Sequence, residues 1–316
     1  MRTGLHAEIS RAPELPRPGS GRTPARMEAL AAVAGRDLSV GRLYEGHTDA
    51  MAILAEAGRA PAAPGVAYGV WAARSPRDPT TARPRAAGWV LSGTKQFCSG
   101  FGIIGRALVS ADAPDGYRLF DVDLAAGGIT AVDGSWPAVG MAGSASLTVT
   151  FDSTPVGALG AVGAPGFYTG RPGFWFGAVG VAACWYGGAV GLVGRLVDRF
   201  PTTANEHALS ELGRCIARVT AMHAVLEAAT RAIDADPADT TGRARYRALA
   251  VREAVHGHCV EILAHAAGAG GARVLGHDAD QARRAADLYV YLSQHHSGAD
   301  AAVIGRLALE HRSSWH

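Results

Sequence analysis

Residues 88–100 read GWVLSGTKQFCSG, and this stretch decides how the rest of the chain is interpreted. Its aromatic, β-branched and apolar residues favour a strand. Lys95 is the only lysine among 30 basic residues. Such a bias toward arginine is typical of a GC-rich genome, so the abundance of arginine is not by itself evidence for phosphate recognition.

Short strand patterns continue on both sides of this stretch, from about residue 67 to residue 156. The clearest is Leu147–Phe151, where apolar and polar residues alternate as in a half-buried strand. Turn residues separate the runs at 114–116 and 126–128. About six short strands over 90 residues predict a small β-barrel or β-sandwich.

Helical patterns flank this β region. Between 24 and 58 the apolar spacing predicts two helices, with Asp37 and Ser39 as caps between them. A three-four spacing of apolar residues predicts a long helix over 206–233. Further helices are expected at 242–268, 279–295 and 299–312, with a loop at 268–281. The predicted fold class is therefore α+β: N-terminal helices, a small middle β-barrel or sandwich, and a C-terminal helical bundle.

Composition divides the chain into four segments and limits its functions. We expect an irregular N-terminal segment at 1–24, a shortened helical region at 25–66, a β domain at 67–160 and the bundle at 161–316. Hydrophobic residues make up 48% and charged residues 18%, which excludes a disordered chain. A net charge of +2 predicts no nucleic-acid partner.

The cysteines and the N-terminal sequence predict a cytoplasmic protein. The four cysteines are unclustered, so the sequence shows no disulfide framework and no zinc motif. Such thiols suit a reducing compartment. Residues 1–20 contain no apolar stretch of signal-peptide length.

One apolar segment has two interpretations. Residues 173–194 carry no charge and include seven glycines, some spaced four apart. By length the segment could span a bilayer, and small residues at that spacing allow close helix contact in membranes. The same spacing serves a helix buried in a soluble bundle. Because no second span is present, we favour the buried helix and expect no membrane partner.

Two segments carry a family resemblance. Residues 88–100 resemble a strand-turn-strand motif of the acyl-CoA dehydrogenase superfamily, and residues 139–156 (VGMAGSASLTVTFDSTPV) resemble a second motif of that superfamily. His47 fits the helix that precedes the β domain in many members. The resemblance spans about residues 28–312.

This resemblance implies a flavoprotein. Family members hold FAD between the β domain and the bundle, usually as homodimers or homotetramers, and oxidise a CH–CH bond of acyl-CoA or another acyl thioester. The positions of Phe97 and Ser99 match an aromatic ring and a hydroxyl beside the flavin, where they would shield and hydrogen-bond it. For Lys95 we expect a structural role in the turn.

The chain also departs from the family. In family members one loop donates hydrogen bonds to the flavin, and it corresponds to residues 68–75 here. The threonine and the acidic residues of that loop are absent from this chain. Trp71 and Ser75 are the expected substitutes. The arginine that meets the pyrophosphate corresponds only roughly to Arg199. We therefore expect FAD binding to be weak or lost.

The catalytic base is the largest departure. Ser293 stands where family dehydrogenases place one glutamate, and the alternative position lies in the uncharged segment 173–194. Serine does not remove a thioester α-proton unless another base activates it. The nearest titratable residues are His295 and His296. Monooxygenases of the same superfamily use a histidine at a comparable place near the C-terminus, which makes these two residues candidates for the base. The alternative is that both lie at the surface or in an interface.

Three functions therefore remain open from the sequence. The first is an acyl-CoA dehydrogenase-like, FAD-dependent oxidoreductase. The second is a flavin-dependent oxidase or monooxygenase of the same fold. The third is a redox-inactive binding or scaffold protein. Histidines at 256, 258 and 265 do not share one helix face, so we expect no metal site.

Overall fold

The computed structural model describes residues 1–12, 14–62, 65–74, 79–200 and 203–310. These residues form two compact units. The first unit comprises 1–15, 42–138 and 142–174, and the second comprises 16–41, 139–141 and 175–316. The chain crosses between the units several times, so their limits do not coincide with the four segments divided by composition.

Nine helices and eight strands occur in the described ranges. The helices are α1 (Arg2–Arg11), α2 (Thr23–Arg36), α3 (Leu38–Glu56), α4 (Phe167–Gly170), α5 (Pro172–Asp198), α6 (Glu206–Ala235), α7 (Ala244–His277), α8 (Ala279–Leu292) and α9 (Ser297–Glu310). The strands are β1 (Tyr68–Trp71), β2 (Thr81–Arg85), β3 (Gly88–Cys98), β4 (Arg106–Ala113), β5 (Gly116–Asp123), β6 (Ile129–Ala131), β7 (Leu147–Gly157) and β8 (Ala161–Val162).

The strands form one mixed sheet in the order β6-β7-β3-β2-β4-β5-β8, with β1 paired in parallel to β4. The six predicted strand runs all contain strands. The sequence analysis missed β2 and β8, because β2 is rich in arginine and proline and β8 has only two residues. The predicted fold class of N-terminal helices, a middle β region and a C-terminal bundle is confirmed.

The core of the first unit lies between α3 and the strands β1, β4 and β5. It is a cluster of fully buried apolar side chains: Ala50, Ile53, Leu54, Tyr68, Leu108, Leu119 and Val162. Such burial stabilises the fold by roughly 25 cal/mol for each Å² of apolar surface removed from water. Helix α3 and these strands therefore share one apolar core.

Helix α5 is the buried helix of the second unit, as the sequence analysis favoured. Among the described residues it is the one helix long and apolar enough to cross a membrane, and 67% of its most apolar window is buried. Its glycines allow α2 to approach closely. A Cβ on Gly187 would lie 2.2 Å from the Ala31 carbonyl oxygen, and one on Gly191 would lie 2.2 Å from that of Gly35.

Two predictions of irregular structure were wrong. Residues 1–24 contain α1, whose Leu5 and Ile9 are one turn apart and buried. Residues 268–277, predicted as loop, continue α7. The glycines there only kink the helix, at Gly271 with φ 61° and ψ −172°.

Candidate functional site

Strand β3 of the first unit contains an unusual backbone conformation. The pairing of β3 with β7 shifts between Lys95 and Cys98, which is a β-bulge. Inside it Phe97 has φ +58° and a side chain that is 57% exposed. Its ring meets that of Trp136 edge-on, with centroids 6.5 Å apart. An exposed aromatic residue in the left-handed region is strained, and such strain is concentrated at functional sites.

Three serine hydroxyls form a row beside this bulge. The Oγ atoms of Ser99 and Ser146 are 2.8 Å apart, and those of Ser146 and Ser144 are also 2.8 Å apart. All three residues are buried, and the Gly100 N–H donates to the Ser144 carbonyl oxygen at 2.7 Å. Because each hydroxyl both donates and accepts, the row can present one hydrogen-bond donor at Ser99.

Trp71 holds the backbone of Ser99 through a hydrogen bond. Its side chain is buried, and its indole N–H donates to the Ser99 carbonyl oxygen at 3.0 Å. Its ring lies 6.3 Å from that of Phe101. In this arrangement Trp71 holds the strand after the bulge. The other expected flavin residue of that loop, Ser75, lies outside the described residues.

Lys95 anchors the bulge from inside the unit. Its side chain is only 3% exposed, and Nζ donates to the Ala73 carbonyl oxygen at 3.2 Å and to the Ser110 hydroxyl at 3.1 Å. Burial lowers the pKa of this amine to about 8. The contacts support a structural role for this lysine, but in a strand rather than in the expected turn, because β3 runs from Gly88 to Cys98.

The second unit contains a polar cluster around the buried His295. The ring of His295 is fully buried, with Nε2 2.8 Å from Glu253 Oε2 and Nδ1 3.4 Å from Asp300 Oδ2. The Ser297 hydroxyl donates to the other Glu253 oxygen at 2.7 Å. Burial alone would raise the pKa of Glu253, but the hydrogen bonds from Ser297 and His295 outweigh it and lower that pKa. Glu253 therefore holds the imidazole as a carboxylate.

Aromatic rings enclose this histidine. The His256 ring lies 4.8 Å from that of His295, and the Trp185 ring lies 5.7 Å from it. Burial, and then the neighbouring His295, lower the pKa of His256. The sequence analysis missed Glu253 because it is 42 residues from His295 and belongs to no motif.

The three catalytic candidates have different surroundings. Ser293 and His296 are exposed, and the Ser293 hydroxyl donates to the Val290 carbonyl oxygen at 2.6 Å in the last turn of α8. Of the three, His295 alone lies in a polar cluster. Among the described residues, no group of three His, Cys, Asp or Glu side chains is placed to hold a metal ion.

The residues present fit the isoalloxazine ring of a flavin dinucleotide better than its pyrophosphate. Phe97 and the Ser99 hydroxyl provide an apolar surface and a donor, as an isoalloxazine ring requires. Arg199, which corresponds roughly to the pyrophosphate-binding arginine, lies 3.4 Å from Asp278, and Arg195 also pairs with that carboxylate. Arg199 is therefore already engaged in an ion pair within the chain.

Comparison with solved structures shows the acyl-CoA dehydrogenase fold. The dibenzothiophene monooxygenase TdsC of Paenibacillus sp. A11-2 matches with a TM-score of 0.80 and 20% identity, over 92% of this chain and 84% of that one. KijD3, solved with FMN and a dTDP-sugar, matches at 0.79 and 22%, over 91% and 80%. Butyryl-CoA dehydrogenase of Megasphaera elsdenii matches at 0.74 and 16%, over 90% and 81%. No family profile and no curated protein sequence matches the chain.

Proposed function

We propose that this chain is a flavin-dependent oxidoreductase of the oxidase or monooxygenase type. One observation carries the choice of class: the residue near the end of α8 that has a proton-handling environment is a buried histidine, His295, held by Glu253. Ser293, where a dehydrogenase would have its glutamate, is exposed and bonded to its own helix.

The ring-binding part of the proposal rests on the first unit. A bound flavin would supply the redox chemistry. Phe97 would cover part of the ring and exclude water from it, and the Ser99 hydroxyl would donate a hydrogen bond where negative charge develops on reduction. Because Arg199 is engaged with Asp278, FMN fits this proposal better than FAD.

The proton-handling part rests on the second unit. With Glu253 as a carboxylate accepting from Nε2–H, the imidazole is fixed in orientation, and His295 can hold a proton at Nδ1 or release it. Asp300 Oδ2 faces that nitrogen at 3.4 Å. His295 thus acts as the acid or base, and Glu253 and Asp300 as positioning residues.

Flavin binding is tested by absorbance titration of the purified protein with FMN and with FAD. We expect FMN to bind, and Phe97→Ala and Ser99→Ala to weaken it, each by roughly tenfold for a lost contact worth about 1.4 kcal/mol. Leu159→Ala is the control, because Leu159 is an exposed apolar residue of the same unit outside the site. A wild-type protein that takes up neither flavin would favour the binding or scaffold function.

The class of reaction is tested on the flavin-loaded protein. We expect an acyl-CoA panel to leave the flavin spectrum unchanged without oxygen, and the chemically reduced protein to reoxidise when dioxygen is admitted. Glu253→Gln should shift the pH dependence of reoxidation while the flavin stays bound. Anaerobic bleaching by an acyl-CoA would contradict the proposal and establish an acyl-CoA dehydrogenase acting on an acyl thioester.

Assembly and location belong to the same proposal. The exposed apolar side chains of Leu209 and Ile216 lie two turns apart on α6 and offer a surface for self-association. We expect a cytoplasmic homodimer or homotetramer. Light scattering coupled to gel filtration measures that state directly, and a monomer at micromolar concentration would contradict it.

A further inference from the structure

A groove opens where β2 continues past the end of β4. The two strands pair in parallel only at Thr81 and Asp112, and β4 ends one residue later. The rest of β2 has no partner on that side among the described residues. The resulting groove has a volume of about 470 Å³ and is lined by Thr81, Ala82, Arg83, Pro84, Arg85, Asp112 and Pro114.

Two arginines give this groove its charge. Ala82 is buried, so the alternation of the strand places Arg83 and Arg85 together on the opposite face. Both are exposed, and neither side chain makes a hydrogen bond or an ion pair with any residue that the structure describes. Most other arginines of this unit have such partners: Arg106 has Asp121, Arg118 has Asp115 and Arg171 has Glu56.

Among the described residues that line the groove, Asp112 is the one carboxylate, and it does not neutralise these arginines. Asp112 lies 2.9 Å from Arg74 Nη2, so its charge is already offset. Pro84 and Pro114 add apolar surface to the lining of the groove. The site therefore combines an apolar wall with two guanidinium groups that have no partner in the part of the chain that the structure describes.

We propose that this groove binds a phosphorylated small molecule through its phosphate or diphosphate group. Residues two apart on a strand are separated by roughly 6.6 Å, a spacing at which two side chains can bracket a diphosphate. Guanidinium groups bind phosphate oxygens in pairs, with strong charge-assisted hydrogen bonds. A volume of about 470 Å³ lies within the range of small-molecule sites. The proposal is independent of flavin binding, because it uses no residue of the flavin site.

The test is calorimetric titration of the full chain with three probes: pyrophosphate, ADP and coenzyme A. All three carry the proposed group, and their relative affinities identify its source. Equal affinities indicate recognition of the diphosphate alone, whereas tighter binding of ADP or coenzyme A indicates that the apolar wall contacts the rest of the molecule. We expect saturable binding at one site per chain that weakens as salt is raised.

Four variants locate the binding. Arg83→Ala and Arg85→Ala should each weaken the best probe by about tenfold to a hundredfold, as expected for a lost charge-assisted contact. Arg83→Lys should recover part of the affinity, because it restores the charge but not the paired geometry. Asp112→Asn should strengthen binding, since it removes the carboxylate and frees Arg74.

The matched control is Arg306→Ala, which removes one exposed positive charge from α9. It should leave the affinity unchanged. Three results would overturn the proposal: no saturable binding of any probe, equal affinities for the wild type and the two alanine variants, or an equal loss in Arg306→Ala. The second result would mean that the probes bind elsewhere on the chain, and the third that they respond only to its overall charge. Circular dichroism of each variant checks that the fold is retained.

Discussion

At the scale of the residue, Phe97 combines backbone strain with an exposed ring. We expect Phe97→Gly to raise the free energy of unfolding by about 1 kcal/mol, because glycine adopts φ +58° without a steric penalty. Phe97→Ala keeps the strain and removes only the ring. Flavin affinity should fall in both variants, while chemical denaturation should show a gain in stability for glycine alone. Equal free energies of unfolding for Phe97→Gly and Phe97→Ala would contradict the proposed backbone strain at this position.

His47 provides a second residue-scale prediction, on stability against pH. It is buried, accepts a hydrogen bond from the Tyr68 N–H at 3.2 Å, and has a pKa lowered to about 4 by burial and then by His6. The folded state thus keeps His47 neutral, while the unfolded chain takes up a proton below about pH 6.5. Its contribution is complete above pH 6.5 and is lost as pH falls toward 4, by about 3 kcal/mol.

Urea denaturation at pH 7 and pH 4.5 measures this loss. His47→Gln keeps an acceptor for Tyr68 but does not titrate, so its stability should fall much less between the two pH values. His296→Gln, at an exposed histidine, should behave as the wild type does. A wild-type curve that does not respond to pH in this range would refute the assignment.

A sequence singles out residues inside motifs more readily than residues that act through distant contacts. Phe97 and Ser99 stand out because each occupies a fixed place in a short pattern. The environment of His295 depends on Glu253, which α7 brings to it from 42 positions away. A contact of that separation leaves no local signal in a single sequence. The flavin and catalytic roles of all these residues remain predictions.

At the scale of the element, α5 shows why glycine recurs in a helix. Gly187→Ala should destabilise the protein by about 1–3 kcal/mol, because the new Cβ would meet the backbone of Ala31 in α2, which cannot move aside as a side chain could. Gly194 lies on the same helix with open space around it. Gly194→Ala should therefore stabilise by up to about 1 kcal/mol. Thermal unfolding of the pair measures the difference, and equal effects would exclude close packing of α2.

Periodicity predicted the long elements well and the short ones poorly. The prediction of a helix over 206–233 agrees with α6, since its apolar residues repeat over many turns. Helix α1 was not predicted, because only Leu5 and Ile9 mark its buried face and a proline-rich stretch follows it. At 268–277 glycines suggested a loop, but the surrounding helix continues through them.

At the scale of the whole molecule, ligand binding and folding are linked. A flavin that binds only the folded chain stabilises it by RT ln(1 + [L]/Kd), about 2.7 kcal/mol at a hundred times Kd. Because Arg199 is paired with Asp278, we expect FAD to stabilise the protein no more than FMN does at equal concentration. Thermal shift with each flavin is the measurement. A much larger shift with FAD would show that the pyrophosphate finds other partners.

The order of helices, strands and helices was predictable, but the grouping into compact units was not. Residues 139–141 belong to the second unit although they interrupt the first. The Met141 N–H donates to Asp287 Oδ1 at 2.6 Å, and a Cβ on Gly140 would lie 2.0 Å from the Ala286 carbonyl oxygen. A segment of only three residues that packs on a helix has no periodic pattern in the sequence. Composition therefore assigned residues 139–141 to the β region.

The burial of Lys95 has a practical consequence for labelling. With one lysine in 316 residues, and that lysine in the protein interior, the α-amine of the chain is the main target for amine-reactive dyes or surfaces while the fold is intact. Unfolding adds a second target at Lys95. The ratio of singly to doubly tagged chains in a mass spectrum therefore reports the folded fraction of a sample directly.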